Sequence, residues 1–378
     1  MLYTVPDYYR QFRCTAGECE DTCCAGWQIA IDQKSLCRYW KEQGDYRKKL
    51  YGSIRWIQRV FQQDEEKRCA FLTEDNLCEM YQNLGKDSLC RTCRLYPRHI
   101  EEFEGVREVS LSISCPEVAK MLLERTEPVT FLNYEQEGEE ELEGFDPFLY
   151  SKLLDARSLF MKMVQNRNLP IMNRIMLCRG LALDMQNRVK SRQLFSCDEV
   201  FLKYEKQEYF SAAGRKADRY IEDIQRRYAF SQKMFENLHT LELLREDWEI
   251  QLEEAEVLLF AKGVRKYGLI QDEFTAWLQE QEILNWDIQC EQLMVYFLFT
   301  YFCGAVYDER IFVNVQMAVA SVDVIKELLA ARWLKNEKTL DIEDVIHVVY
   351  RYSREVEHSD KNLKKMWRML EKQEAWFR

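Results

Sequence analysis

One stretch decides how the first part of this chain folds: Phe12-Arg13-Cys14-Thr15-Ala16-Gly17-Glu18-Cys19-Glu20-Asp21-Thr22-Cys23-Cys24-Ala25-Gly26-Trp27. More cysteines follow it, so that ten of the fourteen lie within the first 115 residues, the later ones being Cys37, Cys69, Cys78, Cys90, Cys93 and Cys115. Packing alone does not call for so many thiols in so short a span. We therefore expect a covalent or metal-bound structure to hold this region together.

Three kinds of structure hold cysteines in this way. Disulfides belong to oxidising compartments, and the residues Met1 to Arg10 show no basic flank followed by an apolar run, so no signal peptide is predicted. Zinc is the second possibility, because Cys90-x-x-Cys93 is a common half-site for a tetrahedral zinc ion. An iron-sulfur cluster is the third, since four thiolates hold a 4Fe-4S cube. Soft thiolates suit zinc and iron-sulfur clusters alike, so ligand type leaves these two open.

Nine cysteines are candidate ligands, which is more than the four that one cube needs: Cys14, Cys19, Cys23, Cys24, Cys69, Cys78, Cys90, Cys93 and Cys115. Either two metal centres exist or several of these thiols are not ligands. Neighbouring side chains point in different directions, so we expect one of Cys23 and Cys24 to bind metal while the other packs or serves another centre. Cys37 is predicted to be a core residue of a helix instead.

The motifs resemble a known family. The opening stretch, with Cys69-Ala70-Phe71-Leu72, Cys78-Glu79-Met80-Tyr81, Cys93-Arg94-Leu95-Tyr96-Pro97-Arg98 and Ser112-Ile113-Ser114-Cys115-Pro116-Glu117, is similar to flagellin lysine-N-methylase. It also resembles a wider group of cysteine-rich domains described as zinc- or iron-chelating. The likeness is dense over about residues 8 to 123 and poor in motifs beyond them.

The resemblance implies a bacterial cytoplasmic enzyme that methylates lysine side chains of flagellin. It implies S-adenosylmethionine as methyl donor and a 4Fe-4S cluster. The alternative from another class is a non-enzymatic module, with zinc or iron-sulfur, whose cysteine cluster is structural and whose helices bind a protein.

Methyl transfer from a sulfonium to an amine is a polar displacement that requires a neutral lysine, whose ordinary pKa is about 10.4. The spacing Cys19-x-x-x-Cys23 is followed three residues later by Gly26, so the three-cysteine motif of radical S-adenosylmethionine enzymes is not matched. Tyr96, His99 and Asp21 lie beside the cysteine motifs and are the candidate bases.

No Gly-x-Gly-x-x-Gly follows a strand, so a doubly wound methyltransferase fold is not predicted. We expect the donor site at the interface between the cysteine region and the helical region.

Composition limits the possible partners. The chain has 378 residues, 47% of them hydrophobic, as is typical of a globular protein. Its net charge of −11 argues against a general nucleic-acid binder. The most apolar segment, Leu293 to Val306, is too short for a membrane span and is predicted to be a central buried helix. The sequence does not fix the oligomeric state.

We predict a mainly α protein with a cysteine-rich, loop-rich metal-binding domain of little β structure at residues 1–132. An acidic linker is predicted at 133–146, and an all-helical domain at 147–378. Within the first domain, Asp32 is expected to cap a helix from Gln33 to Gln43, and a second helix is expected from Tyr46 to Gln63. A hairpin is predicted to turn at Glu104-Gly105.

Overall fold

Residues 1–138, 142–281 and 284–372 are described by a computed structural model. The N-terminal part contains a four-stranded sheet in the order β4-β5-β1-β6. Its strands are β1 (Leu2–Pro6), β4 (Arg98–Phe103), β5 (Val106–Leu111) and β6 (Phe131–Glu135). Strand β1 runs parallel to β5 and antiparallel to β6. The predicted hairpin is confirmed as β4 and β5, which turn at Gly105 with a positive φ of 71°.

The cysteine region between β1 and β4 is built from short elements. Its helices are α1 (Gln33–Trp40), α2 (Arg47–Gly52), α3 (Glu79–Leu84) and α4 (Arg91–Leu95), and a two-stranded ladder joins β2 (Ile54–Arg55) to β3 (Val60–Phe61). Single 3₁₀ turns lie at Tyr9–Gln11, Ala16–Glu18 and Lys86–Ser88. Asp32 caps α1 as predicted, because its carboxylate accepts a hydrogen bond from the Ser35 amide at 3.0 Å.

Two predictions for this region are wrong. The helix expected from Tyr46 to Gln63 ends at Gly52, and the chain continues as the β2–β3 hairpin, in which Arg59 turns the chain with a φ of 58°. β-Branched residues favour the extended form there, and Ile57 is 91% exposed. Cys37 is exposed rather than part of the core, because α1 buries the face that carries Leu36 and Tyr39.

Helix follows helix after the sheet, so the predicted mainly α class is confirmed. Helix α5 spans Pro116–Leu123. The later helices are α6 (Pro147–Val164), α7 (Ile171–Lys190), α8 (Cys197–Tyr204), α9 (Gln207–Glu222), α10 (Ile224–His239), α11 (Glu246–Phe260), α12 (Gly263–Gln279), α13 (Trp286–Tyr301), α14 (Ala305–Asp308), α15 (Ile311–Lys335), α16 (Ile342–Glu357) and α17 (Asp360–Lys372), with 3₁₀ turns at Leu194–Ser196 and Phe302–Gly304. Part of the predicted acidic linker, residues 139–141, lies outside the described residues.

Helices α13 and α15 form the centre of the protein. Nearly every side chain of α13 is buried, which confirms the central helix predicted from its apolar sequence. In the described part of the chain, no helix combines the length and apolar character needed to cross a bilayer.

Two hydrophobic cores are present. The large one joins residues of the sheet region, such as Phe103 and Leu111, to helical residues such as Leu153 and Phe302. A smaller core contains Ile29, Leu50, Phe71 and the cysteines packed among them. The sheet and the helices therefore share one core, whereas most of the cysteine region folds around its own.

Candidate functional site

The nine predicted ligand cysteines divide into two groups. The first thiol group consists of Cys24, Cys69, Cys78, Cys90 and Cys93, all of which belong to the small core or pack against it. The second thiol group consists of Cys14, Cys19, Cys23 and Cys115. The adjacent residues Cys23 and Cys24 are assigned here to different groups, although each shifts the pKa of the other.

Backbone hydrogen bonds assemble the first thiol group from four separate segments. The Cys69 amide donates to the Cys24 carbonyl at 2.8 Å, and the Leu72 amide donates to the Cys69 carbonyl at 2.8 Å. Residue Leu72 in turn forms an isolated bridge with Cys78, which immediately precedes α3. Cys90 stands directly before α4, with Cys93 on its first turn. The small core thus contains two of these thiols, and the other three pack against it.

Asp32 and Ala30 fix the Cys90–Cys93 turn. The Arg91 amide donates to the second carboxylate oxygen of Asp32 at 2.8 Å, and the Thr92 hydroxyl donates to the Ala30 carbonyl at 2.8 Å. Although burial opposes the shift, these amide hydrogen bonds lower the pKa of Asp32 to about 2. One carboxylate therefore caps α1 and holds the start of α4.

Two pairs of thiols shift each other's pKa, Cys23 with Cys24 and Cys90 with Cys93. The contact with Cys23 lowers the pKa of Cys24 to about 7, while the same contact and burial raise the pKa of Cys23. Cys90 and Cys93 behave in the same way, because the contact with Cys93 lowers the pKa of Cys90 to about 7. Each pair thus contains one thiol that ionises easily to the thiolate, and the thiolate is the form that binds a metal.

Burial raises the pKa of four further thiols of the two groups: Cys19, Cys69, Cys78 and Cys115. Burial raises the pKa of Cys69 to about 12, and the charges of Cys24, Cys78 and Cys90 also contribute. Burial raises the pKa of Cys115 to about 11, with a smaller contribution from Cys19. The charge effects on Cys69 come from the first thiol group, and the effect of Cys19 on Cys115 lies within the second.

The donor chemistry fits a soft metal or an iron-sulfur cluster, since each group holds at least four thiols. All fourteen cysteines, each within the described ranges, are free thiols. Over residues 1–138, 142–281 and 284–372, however, no three histidine, cysteine or acidic side chains converge as ligands do around a metal ion. We therefore assign no chemical step to a metal.

Helix α16 anchors the second thiol group through Arg354. Its guanidinium donates to the Ser114 carbonyl at 2.9 Å and to the Asp21 carbonyl, and it lies 2.7 Å from the Asp21 carboxylate. Asp21 also pairs with Arg245 at 2.9 Å and with Arg351 at 3.5 Å. These contacts hold the Cys19–Cys23 loop against Cys115.

An aromatic cluster lies beside this anchor. Trp27 donates its indole N–H to the Cys23 carbonyl at 2.7 Å and packs against the rings of Tyr96 and His358. Tyr96 and His358 both contact the Ser114 hydroxyl, at 3.1 and 2.6 Å. Burial and the nearby Arg354 lower the pKa of His358 to about 3, so its imidazole is neutral.

The three candidate bases lie in different settings. Asp21 forms salt bridges with three arginines. The Tyr96 hydroxyl lies in the aromatic cluster, where burial raises its pKa well above the ordinary value. His99 on β4 lies 2.6 Å from a carboxylate oxygen of Glu101. Burial favours the neutral ring of His99, but the hydrogen bond to Glu101 outweighs it and raises the pKa.

Sequence reasoning missed Arg354, His358 and Arg68. Arg354 and Arg68 are the cations that stabilise the Cys24 thiolate. Arg354 lies 333 residues from Asp21 along the chain, so no local spacing could have revealed their contact.

The fold and site together define a mainly helical protein with an N-terminal thiol-rich region anchored on a helix near the C-terminal end. A family model described as the FliB lysine N-methylase C-terminal domain matches residues 157–378, more than half of the chain. The chain belongs to this FliB lysine N-methylase family, as its cysteine motifs predicted. The family match lies in the helical part, where the sequence offered few motifs.

Named relatives are similar to a shorter part of the chain. The flagellar biosynthetic protein FliU of Salmonella muenchen is 29% identical over 128 residues, which cover 32% of this chain and 76% of that protein. A lysine-N-methylase of Salmonella typhimurium is 27% identical over 134 residues, 32% of this chain and 32% of the relative. The chain thus matches about a third of the length of that methylase. No solved structure matches the chain.

Proposed function

We propose that this chain is a protein lysine N-methyltransferase that acts on flagellin lysines in the bacterial cytoplasm. The observation that carries the proposal is membership of the lysine N-methylase family over residues 157–378. A relative named lysine-N-methylase and another named as a flagellar biosynthetic protein support the reaction and the substrate. The net charge of −11 suits a substrate surface that presents lysines.

S-adenosylmethionine is the proposed methyl donor. The neutral lysine amine attacks the methyl carbon, the N–C bond forms as the C–S bond breaks, and S-adenosylhomocysteine leaves. The amine proton must pass to a base, either before or after the transfer. This reaction consumes no oxidant or reductant.

The three candidate bases differ in how free they are to take this proton. Asp21 is engaged by arginines, and Tyr96 is held in a packed cluster. His99 is paired with Glu101, which orients the ring and raises its pKa. We expect Tyr96→Phe and Asp21→Asn to act mainly through stability.

We further propose that the N-terminal cysteines hold a 4Fe-4S cluster, with zinc as the alternative. Four thiolates of the first thiol group would suffice for one cube, and those of the second thiol group for another. Iron, sulfide and zinc analysis of protein purified without oxygen, together with its visible spectrum, decides between the two metals.

The test of the activity is transfer of a labelled methyl group from S-adenosylmethionine to purified flagellin, located on lysines by mass spectrometry. Flagellin whose lysines have been acetylated is the matched control and should accept no label. Absence of transfer by protein with its full metal content would contradict the enzyme proposal. It would favour a non-enzymatic module in which the metal is structural and the helices bind a protein.

A further inference from the structure

A cavity of about 610 Å³ lies among the helices, and its lining comes from α7, α9, α10, α12, α13 and α15. This volume is in the usual range for sites that bind small molecules and cofactors. The lining mixes apolar and aromatic side chains, including Ile175, Tyr220 and Trp286, with a few charged groups. Such a mixture is typical of a site that holds one polar ligand in a fixed orientation.

Three charged residues of α15 line this cavity at positions i, i+3 and i+4, which share one helix face: Asp323, Lys326 and Glu327. Glu327 is fully provided with hydrogen bonds. Its carboxylate accepts from the Ser231 hydroxyl at 2.9 Å, from the Gln271 amide at 2.8 Å and from the Tyr267 hydroxyl. All three donors are neutral. Burial raises the pKa of Glu327, while these hydrogen bonds and the nearby charges of Arg227 and Lys326 lower it and favour the carboxylate.

Lys326 and Asp323 have few partners. Lys326 forms no hydrogen bond and no ion pair with any residue that the structure describes, and burial and the nearby Arg227 lower its pKa. The hydrogen-bond partner of Asp323 is the Tyr220 hydroxyl at 3.5 Å, and burial raises the pKa of Asp323 to about 6. An unpaired buried charge is costly. A ligand that carries both an anionic and a cationic group would satisfy both side chains.

We propose that this cavity binds S-adenosylmethionine, with Lys326 pairing with its carboxylate and Asp323 pairing with its α-ammonium group. Glu327 then supplies the negative charge that favours the cationic sulfonium, and Trp286 and Tyr220 offer aromatic surfaces for the adenine ring. The inference rests on the proposed function. It places the donor among the helices, whereas the sequence led us to expect it at the interface with the cysteine region.

The first test compares Lys326→Met with Lys335→Met in the full chain purified without oxygen, using equilibrium dialysis of labelled S-adenosylmethionine. Lys335 is the matched control because it lies on the same helix, is exposed and pairs with Glu254 at the surface. The Lys326→Met protein should bind S-adenosylmethionine at least about tenfold more weakly than the wild type, because it loses a charged hydrogen bond to the ligand. Lys335→Met should bind like the wild type.

Two readouts separate a binding role from damage to the fold. Lys326→Met should unfold at the same or a higher temperature than the wild type, because the substitution removes an unpaired buried ammonium. Decarboxylated S-adenosylmethionine lacks the group that Lys326 is proposed to pair with. It should therefore bind the wild type and Lys326→Met equally.

Crosslinking provides an independent measurement that needs no variant. Ultraviolet irradiation with labelled S-adenosylmethionine should label peptides from α12 or α15. Label confined to residues 1–138, or equal affinity of the wild type and Lys326→Met, would overturn the cavity assignment while leaving the proposed function standing. Failure of the wild type both to bind S-adenosylmethionine and to methylate flagellin would overturn both proposals.

Discussion

Replacement of Arg354 by alanine is the sharpest test of how the second thiol group is held. Arg354 is 4% exposed and contacts the Ser114 carbonyl, the Asp21 carbonyl and the Asp21 carboxylate. Alanine removes all three contacts and leaves two buried carbonyls without this donor. The Asp21 carboxylate keeps Arg245 and Arg351, so its charge is not left unpaired.

The expected loss follows from these contacts. A hydrogen bond to a charged group contributes about 1.5–3 kcal/mol, and truncating one partner of a buried ion pair costs about 3–5 kcal/mol. Because two arginines remain beside Asp21, we expect the lower part of that range, about 3 kcal/mol of unfolding free energy. Arg354→Lys keeps the charge but loses the planar fork, so it should cost less than alanine and still be measurable.

Urea denaturation followed by circular dichroism measures this change. Arg192→Ala is the control, because the Arg192 side chain is 82% exposed and its pair with Glu309 should contribute less than about 1 kcal/mol. Thiol labelling provides a local readout, since Cys19, Cys23 and Cys115 should react faster with a thiol reagent in Arg354→Ala. A loss below about 1 kcal/mol with unchanged thiol reactivity would refute the anchoring role of Arg354.

Three further predictions concern the metal, the pH dependence and the core. Cys69→Ser should lower the bound metal per chain, whereas Cys178→Ser, at another buried cysteine, on α7, should not. Burial raises the pKa of Glu355 to about 7, above its ordinary 4.5, so the folded state holds this proton more tightly than the unfolded state does. The stability that the bound proton contributes is present at low pH and is lost as pH rises from about 4.5 to about 7. Relative to Glu355→Gln, the free energy of unfolding should fall by about 3 kcal/mol over this range. Glu291→Ala should cost about 3–5 kcal/mol in urea denaturation, because it leaves the buried Arg174 without its carboxylate partner.

Each of these has a distinct contrary outcome. Equal metal content in Cys69→Ser and Cys178→Ser would remove Cys69 from the ligand set. Parallel stability curves for the wild type and Glu355→Gln between pH 4.5 and pH 7 would show that Glu355 titrates normally. A Glu291→Ala protein as stable as the wild type would mean that Arg174 finds another partner.

Much of the helical architecture could be predicted from the sequence, because helices express a local periodicity. The apolar spacing in Ile311–Lys335 and the single Asp32 cap each depend on residues within a few positions of one another. The same reasoning failed for residues 46–63, where packing of Phe61 into the small core outweighed a helical pattern.

The sequence by itself determined that this chain concentrates its thiols at the N-terminal end, that helices follow them, and which family it belongs to. The tertiary structure decided how those thiols divide, with Cys24 packed against the small core and Arg354 near both Cys23 and Cys24. It also decided which charges gather around the cavity at Lys326. The reason is physical: thiol and charge partners are chosen by distance in space, and the contact between Arg354 and Asp21 joins residues 333 positions apart. Local periodicity carries no information about such a pair.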